Sequence, residues 1–306
     1  MARSRVKAHF GWIDQFLPGP AENNAACYFN RAEFSDDTSM ALCWPMPLWN
    51  VTADKPRHYR TQYSGLAEGF DAFNKNVLGP TSKIALNAIR DGKPVADLQN
   101  NGVTNGAAMR VSPLGCLLPA TNLDSFIDEV ALASSRTHKS DLAVAGAVVI
   151  ALAISRAIEG HSWTAIVHSL PAVARQAQEK RITTFSASLA ARWSGAVVVR
   201  TAYGVESASE QLYQLIGAGT STIESVPCAI AMVELAQGDP NRCAVLCANW
   251  WRYRYDWRDG NCHLRRIGGI SAINPSLKQQ LDDVNHLDFK RYATALARYR
   301  EQREVS

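Results

Sequence analysis

Two adjacent carboxylates flanked by hydroxyl groups are the residues of this chain best suited to chemistry. Asp36 and Asp37 lie in the run Ser35-Asp36-Asp37-Thr38. Magnesium and calcium ions prefer oxygen ligands, and neighbouring carboxylates repel each other unless a cation or solvent screens them. Acidic side chains are also favoured in the first turn of a helix, where the helix dipole is positive. The run therefore predicts either half of a hard-cation site, which a second acidic cluster must complete, or a helix N-terminus.

A run of small residues is the second candidate binding element. The segment from Thr104 to Arg110 reads TNGAAMR, and backbone without bulky side chains around Asn105 and Gly106 lets a ligand approach closely. His138 precedes an apolar helical pattern. A single histidine in that position is typical of a capping or surface residue, and it is also a candidate to line a binding cleft.

Residues 250–266 form a basic and aromatic segment with neither helical nor strand periodicity. They read WWRYRYDWRDGNCHLRR, with five arginines against two aspartates. Aromatic rings interleaved with cations suit the binding of single-stranded nucleic acid by stacking. The net charge of the whole chain, +4, is too small to indicate nucleic-acid binding by itself. A single-stranded nucleic-acid binder acting through residues 250–258 is therefore a disfavoured alternative.

Capping residues mark the ends of a series of predicted helices through the middle of the chain. Asn122 is expected to cap a helix over residues 123–134. Asp141 is expected to begin a helix that ends at Gly160, a residue suited to a left-handed cap. Ser207 is expected to begin a capping box that opens the next helix. These signals place the candidate binding residues at helix ends and in the loops between helices.

The apolar content of the chain indicates an all-α core. Residues 142–158 are the most apolar stretch, but their short length and Arg156 favour a buried helix over a membrane span. No alternating apolar segment pairs with another, which argues against a sheet. Nothing in the composition resembles an interdomain linker. We predict a single all-α domain over residues 1–306.

Cysteine use indicates a reducing compartment. The chain has seven cysteines in no regular framework, and several lie in apolar helical patterns where a free thiol behaves as a small core residue. This favours a cytoplasmic location, and the N-terminal residues lack the pattern of a signal peptide. Zinc ligation is disfavoured, because the spacing of the four candidate ligands fits no common zinc pattern. Those candidates are Cys243, Cys247, Cys262 and His263.

Four short motifs together carry a resemblance to one protein family. They are SDDT at residues 35–38, TNGAAMR at 104–110, Thr137-His138 before an Ala-rich helix, and ESVP at 224–227. The ADP-ribosylglycohydrolase family has TDDT, GNGAAMR, Thr-His and ESVP motifs in the same order. The chain resembles this family best over residues 65–249. The NGAAMR run is the most specific piece, whereas an Asp-Asp pair alone is a weak signal.

The resemblance implies an all-α orthogonal multi-helix bundle that holds two Mg²⁺ ions. In this family the ions bind the ribose of an ADP-ribosyl or related ribosyl group and position a water that cleaves the glycosidic bond. The substrate would be a ribosyl small molecule or an ADP-ribosyl-modified protein. By motif match, the implied metal ligands are Ser35, Asp36 and Asp37. The implied substrate-binding residues are Asn105, Gly106 and His138, and no catalytic residue is assigned.

Two parts of the family pattern are missing. The family's first helix, with Gly-Asp-Ala and a nearby metal-ligating glutamate, would precede Met1, so the domain is expected to be incomplete at its N-terminus. The motif Gly-Gly-Asp-Thr-Asp-Thr should follow Asn249, where residues 250–266 stand instead. Written in synonymous codons and shifted by one base, those residues can spell Gly-Gly-Asp-Thr-Asp-Thr-Ile-Gly-Ala. Similar shifts near 44–64 and 193–195 restore helical patterns, so we hypothesise compensating insertions or deletions.

The missing acidic motif is expected to impair the site. Arginines in place of two carboxylates would repel Mg²⁺, and charges in place of an apolar helix would lower stability. The leading hypothesis is therefore a magnesium-dependent glycohydrolase by descent, with a degraded active site. The alternative is a non-catalytic binder of ADP-ribose-like ligands that uses Asn105, Gly106 and His138 without metal.

Overall fold

The computed structural model describes residues 3–24, 26–43, 78–93, 98, 100–135, 137–179, 181–202, 204–250, 269–286 and 288–304. Thirteen α-helices lie in these ranges. They are α1 (Arg3–Phe10), α2 (Asp36–Cys43), α3 (Pro80–Arg90), α4 (Ser112–Leu117), α5 (Leu123–Ser134), α6 (Asp141–Ile158), α7 (Trp163–Glu179), α8 (Leu189–Ala202), α9 (Val205–Leu215), α10 (Thr222–Leu235), α11 (Pro240–Trp250), α12 (Pro275–Asn285) and α13 (Phe289–Glu304). Short 3₁₀ helices cover Ala108–Arg110 and Ile270–Ala272.

The fold is all-α, as predicted. The described ranges contain no β-strand. Their only β-type backbone pairing is two isolated bridges, Thr104 with Ser221 and Ser140 with Ile182. Both bridges join loops that precede helices rather than edges of a sheet. The sequence expectation of helices without a sheet is confirmed for this part of the chain.

Helix α6 is the centre of the main core. Almost all of its side chains are buried, and α4, α5, α7 and α10 pack around it. The helix is long and apolar enough to cross a membrane by composition, yet 83% of it is buried inside the protein. Gly146 allows α10 to approach α6 closely, because a Cβ there would lie 2.2 Å from Thr222 Cγ2. The prediction of a buried core helix is confirmed.

A second apolar cluster joins α8, α9, α10 and α11. Cys228, Cys243 and Cys247 are thiols buried in it, as the helical patterns predicted for small core residues. Trp193 is buried in the main core from within α8, so the helix continues through residues 193–195. The other two segments that suggested a frame change, 44–64 and 250–266, lie outside the described residues except for the backbone of Trp250.

The C-terminal helix is attached to the core by a buried arginine. Arg300 of α13 donates to the carbonyl oxygen of Leu118 at 2.9 Å and to Glu159 Oε1 at 2.6 Å. Glu159 Oε1 also accepts from the backbone N–H of Ala120 at 2.7 Å. The guanidinium thus satisfies carbonyl groups at the end of α4, where a helix leaves acceptors without intrahelical partners.

Helix boundaries follow the predicted caps in all but one case. The side chain of Asn122 accepts from the N–H of Ser125 at 3.0 Å, and Gly160 has φ +96° after the end of α6. The predicted capping box at Ser207 is wrong, because α9 already begins at Val205 with Gly204 as its N-cap. Ser207 therefore lies in the first turn of the helix rather than before it.

Candidate metal and ligand site

The first candidate element is the N-terminus of α2. Asp36 and Asp37 are its first two residues and are 7% and 1% exposed. Ser35 Oγ donates to Asp37 Oδ2 at 2.7 Å, which orients that carboxylate. The expectation of a helix N-terminus is confirmed, and the helix dipole there favours the negative charges. Metal ligation by Ser35, Asp36 and Asp37 stays a prediction.

The chemistry of this donor set suits a hard cation. Two buried carboxylates and neighbouring hydroxyls are the oxygen ligands that Mg²⁺ prefers. The buried hydroxyl oxygen of Thr38 has no hydrogen-bond partner among the described residues. That part of the chain also contains no cluster of three or more His, Cys, Asp or Glu residues placed to hold a metal. The described residues therefore fit half of a magnesium site, and the segment expected to supply the other half lies outside them.

The small-residue run contacts helix α2. Helix α2, which begins with the acidic pair, packs on the 3₁₀ helix Ala108–Arg110 at the end of the TNGAAMR run. Asn105 is 4% exposed, and its carbonyl oxygen accepts from the N–H of Met109 at 2.9 Å. The structure thus joins two elements that are separated by about seventy residues in the sequence.

The loop between α9 and α10, which the sequence analysis did not single out, is hydrogen-bonded to the TNGAAMR run and the residue before it. The N–H of Asn105 donates to the carbonyl oxygen of Thr220 at 2.8 Å, and the N–H of Thr222 donates to that of Val103 at 2.9 Å. Glu224 Oε2 accepts from the N–H of Gly219 at 2.7 Å and so fixes the same loop. Glu224 belongs to the ESVP motif, so the sequence did point to this residue. The spacing in the sequence does not reveal that its partner is the N–H of Gly219.

His138 lies in the interior of the protein. It is 1% exposed, and both ring nitrogens meet threonine hydroxyls: Nδ1 is 2.8 Å from Thr137 Oγ1, and Nε2 is 2.9 Å from Thr104 Oγ1. Arg110 donates to Thr137 Oγ1 as well. Burial, and then the positive charge of Arg110, lower the pKa of His138 from 6.5 to about 3. The ring is therefore neutral near pH 7.

Gly106 and His138 are in direct contact. A Cβ at Gly106 would lie 2.5 Å from His138 Cε1 and 3.0 Å from Nε2, so only glycine leaves room for the ring. The structure brings the three predicted substrate-binding residues, Asn105, Gly106 and His138, into one cluster. Their contact with a ligand stays a prediction. Thr104, whose hydroxyl oxygen lies 2.9 Å from His138 Nε2, is half-buried.

Comparison with known proteins places this chain in a family. The sequence profile described as ADP-ribosylglycohydrolase matches residues 2–256. The chain is 72% identical to the uncharacterized protein YegU of Escherichia coli strain K12 over 306 residues, which is 99% of this chain and 92% of that protein. It is 28% identical over 152 residues to an uncharacterized protein of Archaeoglobus fulgidus, covering 49% of this chain and 46% of the other.

A solved structure has the same fold. A chain titled "ADP-ribosylglycohydrolase-related protein complex" superposes with a TM-score of 0.68 over 95% of this chain and 89% of its own length. The two sequences are 18% identical, so this likeness concerns the fold alone. It confirms the prediction of an all-α bundle of the ADP-ribosylglycohydrolase type.

Proposed function

Since the chain belongs to the ADP-ribosylglycohydrolase family, we propose that it carries the site of a magnesium-dependent hydrolase for ADP-ribosylated or related ribosyl substrates. Family membership indicates a glycohydrolase-type enzyme, and the metal and the substrate are the proposed parts. The observation that carries the proposal is the buried pair Asp36 and Asp37 at the start of α2, a helix that packs on the 3₁₀ helix following Asn105 and Gly106. Adjacent carboxylates are oxygen ligands of the kind that Mg²⁺ prefers, and a family hydrolase needs such ligands beside backbone that a substrate can approach closely.

Different residues of the chain would bind the metal and the substrate. Asp36 and Asp37 would hold metal, with the carboxylate of Asp37 oriented by the hydroxyl of Ser35. The backbone around Asn105 and Gly106 would approach the ribose or phosphates, with the ring of His138 packed against Gly106. Bound Mg²⁺ would lower the pKa of a water and orient the substrate diol.

We also propose that this exact chain works poorly. The described residues supply one pair of carboxylates, whereas two metal ions need more oxygen ligands than that pair provides. The sequence at 250–266 has arginines where the family has its second acidic motif. Positive charge near the remaining carboxylates would weaken cation binding by Coulomb repulsion.

Release of ADP-ribose from ADP-ribosylated arginine and serine peptides, with Mg²⁺ or with EDTA, tests this proposal. Hydrolysis is expected to be weak, to require Mg²⁺, and to disappear when Asp36→Asn and Asp37→Asn are combined. Asp283→Asn is the matched control, since that aspartate is exposed on α12 and bonds only Gln279 among the described contacts. Release that persists in EDTA would contradict the metal requirement.

Binding without hydrolysis would point to the alternative function. Saturable ADP-ribose binding that is indifferent to Mg²⁺ and to both aspartate substitutions, with no product formed, would favour a non-catalytic binder. The choice is clear-cut because the two functions use different parts of the site: the binder needs Asn105, Gly106 and His138, and the hydrolase needs the acidic pair as well.

A further inference from the structure

The C-terminal helices α12 and α13 contact the segment that leads into the acidic pair. The family profile matches residues 2–256, so both helices lie outside the matched part of the chain. Among the residues that the structure describes, α12 has none that is buried, and Arg300 is the single buried residue of α13. Because these helices bury little apolar surface, polar side chains carry much of their attachment to the rest of the protein.

Asn285, the last residue of α12, pairs with the backbone of Ala32 and Phe34. Its Oδ1 accepts from the N–H of Phe34 at 2.9 Å, and its Nδ2 donates to the carbonyl oxygen of Ala32 at 2.8 Å. Nδ2 also donates to the carbonyl oxygen of Leu281 at 2.8 Å, within α12. A primary amide has two N–H donors, and both are used here. The side chain therefore binds the segment through a donor and an acceptor at the same time.

An amide is the side-chain group that matches these three partners. A carbonyl oxygen can only accept and a backbone N–H can only donate, so the nitrogen must face Ala32 and Leu281 and the oxygen must face Phe34. Aspartate would place a second acceptor against two carbonyl oxygens, and leucine would offer neither donor nor acceptor. The backbone that Asn285 faces therefore accounts for the residue type at this position.

Two further observations show that the segment is held in one conformation. Ala32 has φ +62°, a left-handed conformation that a residue with a Cβ disfavours and that persists where surrounding contacts fix it. The ring of Phe34 meets the ring of Phe289 from α13 edge to face, with centroids 6.1 Å apart. Ala32 and Phe34 are 6% and 7% exposed. Both C-terminal helices thus fix the path of this buried segment.

Phe34 is the last residue before the candidate metal ligands. The carbonyl oxygen of Ser35 accepts from the N–H of Ser39 at 3.1 Å, and the Ser35 hydroxyl donates to Asp37 Oδ2 at 2.7 Å. A displacement of Phe34 would therefore move both the first turn of α2 and the hydroxyl that orients Asp37. Residues that orient metal ligands affect metal affinity although they do not touch the ion.

We propose that Asn285 is a positioning residue, whose side-chain amide fixes Ala32 and Phe34 and so sets the geometry of the Asp36 and Asp37 carboxylates. This inference rests on the proposed function in one respect, namely that these carboxylates hold a cation. A cation needs its oxygen ligands at nearly fixed separations, so a start of α2 that can shift lowers the affinity. The C-terminal helices support the site in this way from outside the matched family profile.

Terbium binding to the full chain, followed by luminescence, tests the inference. Tb³⁺ prefers oxygen ligands as Mg²⁺ does, and its higher charge attracts carboxylates more strongly, so a weak magnesium site becomes measurable. The signal that disappears when Asp36→Asn and Asp37→Asn are combined is assigned to the acidic pair. Asn285→Leu should weaken this binding about tenfold or more. Gln279→Leu removes an exposed amide from the same helix and should leave the affinity unchanged.

Arg300→Met separates positioning from a general loss of stability. It removes a different anchor of the C-terminal helices, the bonds to Leu118 and Glu159 at the far end of α13. We expect this variant to be less stable but to bind terbium, while folded, as tightly as the unchanged chain. Equal weakening by Arg300→Met and Asn285→Leu would overturn the specific role of Asn285.

Amide hydrogen exchange, measured by NMR without metal, gives a readout that does not depend on a cation. The Phe34 N–H should exchange about tenfold faster in Asn285→Leu than in Gln279→Leu, because its acceptor is lost. In the unchanged chain, the side-chain amide protons of Asn285 should exchange more slowly than those of Gln279, which covers the case in which Asn285→Leu fails to fold. Equal exchange in either comparison would overturn the proposal.

The outcomes separate this inference from the proposed function. Terbium binding that depends on Asp36 and Asp37 but not on Asn285 would overturn the inference and leave the hydrolase proposal intact. A protected Asn285 amide and faster exchange at Phe34 in Asn285→Leu, in a chain without terbium binding by the acidic pair, would support the positioning of this segment and contradict the proposed function.

Discussion

Replacing Gly106 by alanine is the sharpest perturbation that the site allows. The new Cβ would lie 2.5 Å from His138 Cε1, closer than side-chain carbons approach in folded proteins. The ring cannot turn away freely, since Thr137 and Thr104 hold its two nitrogens at 2.8 and 2.9 Å. Overpacking of this kind costs about 1–3 kcal/mol, and a lost hydrogen bond adds about 1 kcal/mol. We therefore expect Gly106→Ala to lower the free energy of unfolding by about 2–4 kcal/mol.

Urea unfolding of four proteins measures this effect and its cause. Gly106→Ala is compared with the unchanged chain, with His138→Ala, and with the double variant. Removing the ring removes the obstacle, so the double variant should show a coupling of at least about 1 kcal/mol between the two substitutions. Gly195→Ala is the control, because that glycine lies within α8 with only an ordinary 3.7 Å contact to Ile216, and alanine there should be neutral or stabilising. Additive effects at 106 and 138 would refute the argument.

Three further predictions concern stability and pH. Arg300→Met should lower the free energy of unfolding by about 3 kcal/mol because it leaves Glu159 and the end of α4 without their partner; Arg303→Met, which removes an exposed pair, should cost under about 1 kcal/mol in the same urea experiment. The pKa of His138 is lowered from 6.5 to about 3 in the folded chain, so its contribution to stability is present above pH 6.5 and is lost as the pH falls towards 3. His138→Asn should therefore flatten the dependence of unfolding free energy on pH in this range. An equal slope in both proteins would count against the buried neutral ring. Glu224→Ala should lower stability by about 1–3 kcal/mol and weaken ADP-ribose binding, because the loop behind Asn105 loses its bond from Gly219, whereas Glu224→Gln keeps an acceptor and should do so much less.

Local signals allowed the sequence to predict much of the fold. Asn122, Asp141 and Gly160 act within one or two turns of the helices that they begin or end, so the residue types alone were informative. The prediction at Ser207 is wrong although it is equally local: its spacing to Glu210 suits a capping box, yet Gly204 is the N-cap and the helix begins at Val205.

The sequence names the candidate site as a set of residues and does not reveal the contacts among them. The motif match named Asp36, Asn105 and His138, and the structure brings the last two together beside the helix that Asp36 begins. The supports from Thr220 to Asn105 and from Thr104 to His138 join positions 115 and 34 residues apart, and no spacing rule predicts such pairs. The same is true of Arg300 and Glu159, which are 141 residues apart.

Magnesium binding, measured by calorimetry on two purified proteins, tests the central claim most directly. The first is this chain, and the second replaces residues 250–266 by the sequence of the shifted frame, which begins Gly-Gly-Asp-Thr-Asp-Thr. The account predicts weak or no saturable Mg²⁺ binding by the first protein and tighter binding by the second, lost again when Asp36→Asn is added. Saturable binding by the unaltered chain in the micromolar range, or equal binding by both proteins, would contradict it.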